Sequence, residues 1–266
     1  MAIRPLDRES LRQQLQSAKP VPWFAIDDFL EPDFAEAVYR SFPSFDDAVK
    51  SGRLFSAVNE KGKVQITDSA KFPEPIAELN RQINGPAFLE LMEYVTGTPN
   101  LLADEQLVGG GIHETGPRGL LDVHLDFDFI PERNLYRRYN ILVYFNKDWQ
   151  DDWGGQFELW NADVTKLEHS FVPKFNRCVL FETNDRSWHG VNAVKCPPGQ
   201  SRKSFASYYY TKEAPAWFAG EHHSTLFKAR PDEMLKGKVL MPAEKLSRSL
   251  RGAYSGLKDI IKGKAG

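Results

Sequence analysis

Three residues of this chain have the types and spacing to hold a metal ion: His124, Asp126 and His189. His124-Leu125-Asp126 lies in a strand-like run, where side chains two apart point to the same face, so one ion can be gripped by both. His189 lies in a second such run, Asp185-Arg186-Ser187-Trp188-His189-Gly190-Val191. Together they form a two-histidine, one-carboxylate set, the facial arrangement that suits non-heme Fe(II) and leaves coordination positions open. Zinc accepts the same ligands, so the trio alone does not choose the metal. Asp128 competes for the carboxylate role but stands four residues from His124 and needs an unbroken strand, so Asp126 is preferred. A His-x-Asp triplet also arises by chance, and its plain reading is a surface pair with His189 as a core histidine.

Thirteen residues beyond His189, Arg202 opens the run Arg202-Lys203-Ser204-Phe205-Ala206-Ser207-Tyr208-Tyr209-Tyr210. In a regular strand Arg202, Ser204, Ala206, Tyr208 and Tyr210 share a face. A guanidinium there offers two parallel donors to a carboxylate, and a hydroxyl two residues along adds a third. The plain alternative is a surface ion pair. A further strand, Arg138-Tyr139-Asn140-Ile141-Leu142-Val143-Tyr144-Phe145-Asn146, places Asn140, Leu142, Tyr144 and Asn146 on one face.

This constellation resembles the Fe(II)/2-oxoglutarate-dependent oxygenase superfamily, in its prolyl-4-hydroxylase-like branch. The stretch Tyr144-Phe145-Asn146-Lys147-Asp148-Trp149, followed by Gly154-Gly155, is similar to a motif of that branch. The resemblance covers residues 109–211, with a weaker likeness in Pro22-Trp23-Phe24-Ala25-Ile26-Asp27-Asp28-Phe29-Leu30. It implies a double-stranded β-helix (jelly-roll, cupin-like) core. It implies His124, Asp126 and His189 as ligands of Fe(II), and Arg202, Tyr144 and Ser204 as contacts of the far carboxylate of 2-oxoglutarate. Dioxygen is the implied co-substrate, and ascorbate is left open as an auxiliary reductant. The implied reaction is hydroxylation of an unactivated C–H bond, with 2-oxoglutarate converted to succinate and CO2. A carboxylate at Asp126, rather than a small residue, argues against a halogenase. The spacing from His189 to Arg202 exceeds that of compact prolyl hydroxylases because Lys195-Cys196-Pro197-Pro198-Gly199-Gln200 intervenes, which weakens a protein-prolyl substrate. Two other classes stay open: a cupin-like, metal-dependent non-redox enzyme and a non-catalytic metal- or ligand-binding module. Peptidyl proline, a free amino acid, a glycan and a natural-product intermediate are all open as substrates.

The elements that must position these residues read as mainly β with flanking helices, an α+β chain. Short strands are expected at 107–113, 122–127, 140–146, 156–160, 169–172, 178–183, 190–194 and 204–211. Eight strands without intervening helical patterns suggest a sandwich or jelly roll rather than a βαβ sheet. Before them, a short strand at 21–26 and helices at 32–40, 74–83 and 87–95 form a support, and residues 51–71 are a polar loop or hairpin. Beyond Thr211, Leu246, Leu250, Ala253, Leu257 and Ile260/Ile261 recur at helical spacing among Lys and Arg, a basic amphipathic helix expected to pack on the protein's own surface, with contact to membrane or a partner as the alternative. The organisation is one domain in three parts: an N-terminal α/β support (1–105), a jelly-roll oxygenase core (106–212) and a C-terminal helical tail (213–266).

Other groups carry less. Gly109-Gly110-Gly111 lacks the Lys-Ser/Thr of a phosphate loop and reads as a strand edge that lets substrate approach. His113 either lines the pocket or is a satisfied structural histidine. Residues 114–119 have the glycines of a mobile lid or an ordinary connection. Arg137-Arg138 is a basic pair that could meet an acidic substrate, with a solvated loop as the simpler reading, and His169 and His222-His223 have no usable partner spacing. Cys178 and Cys196 form no CxxC pair; Cys178 reads as a buried core residue and Cys196 as a turn residue. Hydrophobic residues at 41% and aromatics at 12% of 266 residues suffice for a sizeable core. A formal net charge of -2 argues against general nucleic-acid binding. With no apolar signal core and no apolar run of about 18 residues, the expectation is a cytoplasmic protein acting on a small-molecule or peptidyl substrate. Nothing in the chain fixes an oligomeric state.

Overall fold

The computed structural model describes residues 2–233 and 235–241. In chain order the elements are α1 (Arg8–Ser17), β1 (Trp23–Ile26), α2 (Pro32–Ser41), α3 (Phe45–Ser51), β2 (Arg53–Ser56), β3 (Glu60–Ile66), α4 (Glu74–Ile83), α5 (Pro86–Thr96) and β4 (Leu102–Ala103). They continue with β5 (Gly111–Leu125), β6 (Phe129–Ile130), β7 (Leu135–Tyr144), β8 (Phe157–Trp160), β9 (Leu167–Phe171), β10 (Arg177–Glu182), β11 (His189–Val191), β12 (Arg202–Thr211) and β13 (Leu226–Lys228). The basic amphipathic helix expected around Leu246 to Ile260 lies outside the described residues.

The strands run in the order β1-β10-β7-β12-β5-β11-β8-β9, each paired antiparallel with the next. The path curls into two facing layers, the double-stranded β-helix. What joins the layers is β5. Its first part pairs with β12, Thr115 opposite Arg202, and its last part pairs with β11, His124 opposite His189. Between them the register against β3 slips, Lys61 facing Leu120 but Lys63 facing Thr115. Residues 114–119 are therefore not a lid. They form the bulged middle of β5, and Glu114, Thr115 and Gly116 are buried. Gly116 and Gly119 supply the freedom that suggested a loop, but they serve close packing: a Cβ on Gly119 would sit 2.4 Å from the Thr115 methyl.

Alternation on β7 and β12 divides the interior in two. Tyr139, Ile141 and Val143 of β7 and Phe205 and Tyr209 of β12 enter the main core. They pack with the buried stripes Ile76, Leu79 and Ile83 of α4 and Phe88, Met92 and Val95 of α5. The opposite face of the same strands, including Asn140, Leu142, Arg202, Ser204 and Tyr208, lines a cavity between the layers. The helical support is thus what keeps the back of the major sheet dry while its front remains available to ligand. Helix α5 ends at Gly97, which takes the left-handed conformation (φ 69°) that glycine adopts readily.

Three expectations change. The strand predicted from 107 begins at Gly111, because 107–110 close a turn in which Gly110 N donates to the Leu107 carbonyl. The close approach at Gly111 (φ 88°) is made by the β3 backbone: a Cβ there would lie 2.1 Å from the Ile66 carbonyl oxygen. Residues 185–188 form a turn, so His189 opens its strand rather than sitting within it.

Candidate functional site

The structure brings His124, Asp126 and His189 together, with one potential ligand atom from each within 4.8 Å of the others. The cross-strand pair His124–His189 places the two rings 4.2 Å apart. Each Nδ1 lies against a backbone carbonyl: His124 Nδ1 is 2.9 Å from Asp122 O, and His189 Nδ1 is 2.7 Å from Ser187 O. Those bonds commit Nδ1 as the donor and turn each Nε2 lone pair inward. The two Nε2 atoms stand 3.5 and 3.4 Å from the Asp126 carboxylate. Burial, then the neighbouring His124, pushes His189 below the ordinary imidazole range, so it is neutral near pH 7. Lone pairs facing a carboxylate repel one another unless a cation lies between them, and the donor set therefore fits a divalent metal.

Asp126 is itself held. Asn140 donates to Oδ2 at 2.8 Å, and the Arg137 guanidinium lies 3.4 Å from the same oxygen. Burial raises the carboxyl's pKa, but the adjacent Arg137 charge counters it, and Asp126 stays well below the usual carboxylate range. Arg137 had read as a solvated residue; it is buried, its guanidinium 3.5 Å from the Tyr208 ring centre and 4.6 Å from that of Phe127. Asp128 takes no part. Its carboxylate faces away, bonded to His222 Nδ1 at 2.7 Å and to His223 N at 2.9 Å.

Arg202 lines the same cavity and is 4% exposed. Its Nε donates to the Gly155 carbonyl at 2.7 Å and its Nη1 to Ser204 Oγ at 3.4 Å. No carboxylate among the described residues comes within ion-pair distance of it. A buried cation without a counterion is costly, and burial depresses its pKa accordingly. The guanidinium lies 5.0 Å from the ring of Tyr144, whose buried hydroxyl has no hydrogen-bond partner. Burial pushes the Tyr144 hydroxyl up to about 12, so it remains a proton donor at neutral pH. Gly154 and Gly155 serve as close-approach residues: Gly155 would place a Cβ 3.0 Å from Arg202 Cδ, and Gly154 one 2.1 Å from the Ala193 carbonyl. Arg202, Ser204 and Tyr144 thus present donors that want an anion, and the carboxylate of 2-oxoglutarate fits them.

The cavity lined by the metal trio, Arg202 and Ser204 has a volume of about 310 Å³. Aromatic rings screen the histidines: Phe181 is 4.7 Å and Phe157 5.7 Å from His189, and Phe227 stacks on His124 at 5.5 Å. His113 combines both roles expected of it. It lines the cavity, and its Nε2 is satisfied 3.0 Å from Gln65 and 3.0 Å from the Gly109 carbonyl. Two parts of the wall were not foreseen as part of the site: the β2–β3 hairpin (Arg53, Phe55, Glu60, Lys63, Gln65), expected only as a polar loop or hairpin, and Thr225 and Phe227 at β13. His169 is remote, its ring 4.6 Å from that of Trp23, and Cys178 is buried and unpaired as expected. Cys196, just before the turn at Pro198–Gly199, is buried and unpaired as well.

Residues 110–210 match the family model of the 2OG-Fe(II) oxygenase superfamily. No curated protein matches the chain. Among solved structures, a prolyl hydroxylase from Trichoplax adhaerens, in complex with a hypoxia inducible factor oxygen degradation domain peptide fragment, superposes with a TM-score of 0.55 at 18% identity, covering 76% of this chain and 88% of that one. A prolyl-4-hydroxylase from Pseudomonas putida gives 0.53 at 18% identity, covering 76% and 98%. A non-heme alpha ketoglutarate dependent carbocyclase from nogalamycin biosynthesis gives 0.54 at 11% identity, covering 89% and 92%. The match to the 2OG-Fe(II) oxygenase superfamily thus covers the core of this chain, and the fold around it is prolyl-4-hydroxylase-like. The protein is accordingly a 2-oxoglutarate-dependent dioxygenase, with Fe(II), 2-oxoglutarate and dioxygen as its cofactors and co-substrate. Among the described residues no helix is long and apolar enough to cross a membrane.

Proposed function

We propose that the protein hydroxylates an unactivated C–H bond of a small-molecule or peptidyl substrate, with His124, Asp126 and His189 as the ligands of Fe(II). One observation carries this reading: a three-donor cluster and a buried guanidinium with no counterion share one cavity. A non-redox zinc enzyme would account for the first and leave the second unexplained. When bound, the metal, 2-oxoglutarate and dioxygen supply an oxidant that puts one oxygen atom into the substrate, while the other enters succinate as CO2 departs.

The chain's own residues set up that chemistry. His124 and His189, through their Nε2 atoms, and the Asp126 carboxylate would hold the metal at the wall of the cavity. Asn140 and Arg137 fix which way Asp126 points, the role that neighbouring hydrogen bonds play at many metal sites. Arg202, Tyr144 and Ser204 would hold the distal carboxylate of 2-oxoglutarate, and the Gly155 carbonyl sets the guanidinium's orientation. Phe157, Phe181 and Phe227 keep water from the reacting centre. The carbocyclase neighbour shows that this fold also carries other outcomes, so the product must be identified directly. The test is conversion of 2-oxoglutarate to succinate by the Fe(II)-loaded protein across candidate substrates, with mass analysis of the product. A substrate-dependent rise in succinate and a product heavier by one oxygen are expected. Stoichiometric succinate with a product lacking that oxygen would overturn hydroxylation.

A further inference from the structure

We infer that the substrate carries an acidic group, and that Arg53 on the β2–β3 hairpin is the residue that receives it. The inference rests on the function proposed above and concerns the part of the cavity that cofactor and metal leave to the substrate.

Charge gives the first argument. Four cationic side chains line the cavity, Arg53, Lys63, Arg137 and Arg202, against two carboxylates, Glu60 and Asp126. His113 adds no charge, because burial, then Lys63 and Arg202, holds it well below the ordinary imidazole range. A ferrous ion and the 2-oxoglutarate dianion cancel one another, so the loaded cavity keeps an excess of two positive charges. A cleft of one sign attracts and orients a ligand of the other.

Pairing identifies the cation that is free to act. Arg137 is engaged with Asp126 at 3.4 Å, and Lys63 with Glu60 at 3.0 Å. Arg202 faces the cofactor end. Arg53 has no carboxylate partner among the described residues; its guanidinium lies 4.6 Å from the ring centre of Phe55, and the Lys63 ammonium lies 5.3 Å from the same ring. Stacking on an aromatic face orients a guanidinium while leaving its edge donors to a carboxylate. The cavity lined by both Arg53 and the metal cluster also has apolar wall residues, Phe55, Leu120, Leu121, Val191 and Phe227. That wall suits a compact apolar body, with its acidic group at the hairpin and its reacting carbon turned toward the histidines.

The test uses the protein loaded with Ni(II), a redox-inert stand-in, and saturating 2-oxoglutarate. Calorimetry then compares 3-phenylpropanoate with its uncharged amide, 3-phenylpropanamide. The acid is expected to bind at least about tenfold more tightly than the amide, with an affinity independent of the 2-oxoglutarate concentration. Arg53→Gln should reduce that preference to within about twofold, and Arg53→Lys should keep most of it. Because Arg53 is exposed, neither substitution disturbs the core. Equal binding of acid and amide, binding of neither, or a preference that survives in Arg53→Gln would overturn the inference. If 2-oxoglutarate itself fails to bind the Ni(II)-loaded protein, the proposed function fails first and this inference falls with it; normal 2-oxoglutarate binding without the acid preference sinks the inference alone.

Discussion

His124→Ala is expected to lower Fe(II) affinity by more than about a hundredfold, since loss of a residue that merely supports a ligand already costs about 10–100-fold. Turnover of 2-oxoglutarate should fall to background with it. The expectation follows from geometry: His124 contributes one of the three donors that cluster among the described residues, and its Nδ1 is already committed to the Asp122 carbonyl. No other imidazole stands in reserve. His113 is occupied by Gln65 and the Gly109 carbonyl, and His222 by Asp128. Equilibrium dialysis against Fe(II) under argon measures the loss, and urea unfolding of the metal-free variant checks that the fold persists. Iron binding at wild-type strength would show that the ion, if held, is held elsewhere.

The second large effect belongs to Arg202. Removing one partner of a buried, hydrogen-bonded charge pair costs about 2–5 kcal/mol, which corresponds to about thirtyfold to several-thousandfold in 2-oxoglutarate affinity. Arg202→Met keeps much of the side-chain volume and should show that loss while Fe(II) affinity stays near wild type. Stability should separate this variant from one that is merely damaged. Without ligand, Arg202 is a buried cation lacking a counterion, so its replacement by an apolar side chain should leave the apo protein no less stable. Calorimetric titration of 2-oxoglutarate and thermal unfolding together decide the matter. A variant that binds 2-oxoglutarate normally would place the anchor on another residue.

The sequence made the centre of the site legible because a strand's period is short and local. His124 and Asp126 share a face by spacing alone, as do Arg202 and Ser204, and eight of the strands were readable from apolar runs between turns. What escaped depends on partners distant along the chain. Arg137 looked solvated beside Arg138, yet Asp126, Tyr208 and Phe127 surround it. Residues 114–119 looked like a lid, but the pairing of β5 with β3 makes them a bulge in a continuous strand. The β2–β3 hairpin was too polar to show alternation: only the end of β3, through Val64 and Ile66, enters the main core, and its other side chains face cavity and solvent. Phe227 was missed for a similar reason: a three-residue strand carries no period, and only its pairing with β5 sets it against His124.

The most direct measurement is an anaerobic titration of the apo protein with Fe(II) and 2-oxoglutarate, followed through the visible metal-to-ligand absorption band. The proposed ligand set predicts a band that saturates at one equivalent of each, is absent in His124→Ala, and needs far more 2-oxoglutarate in Arg202→Met. A wild-type protein that gives no band with both components saturating, or a His124→Ala variant that gives the full band, would contradict it.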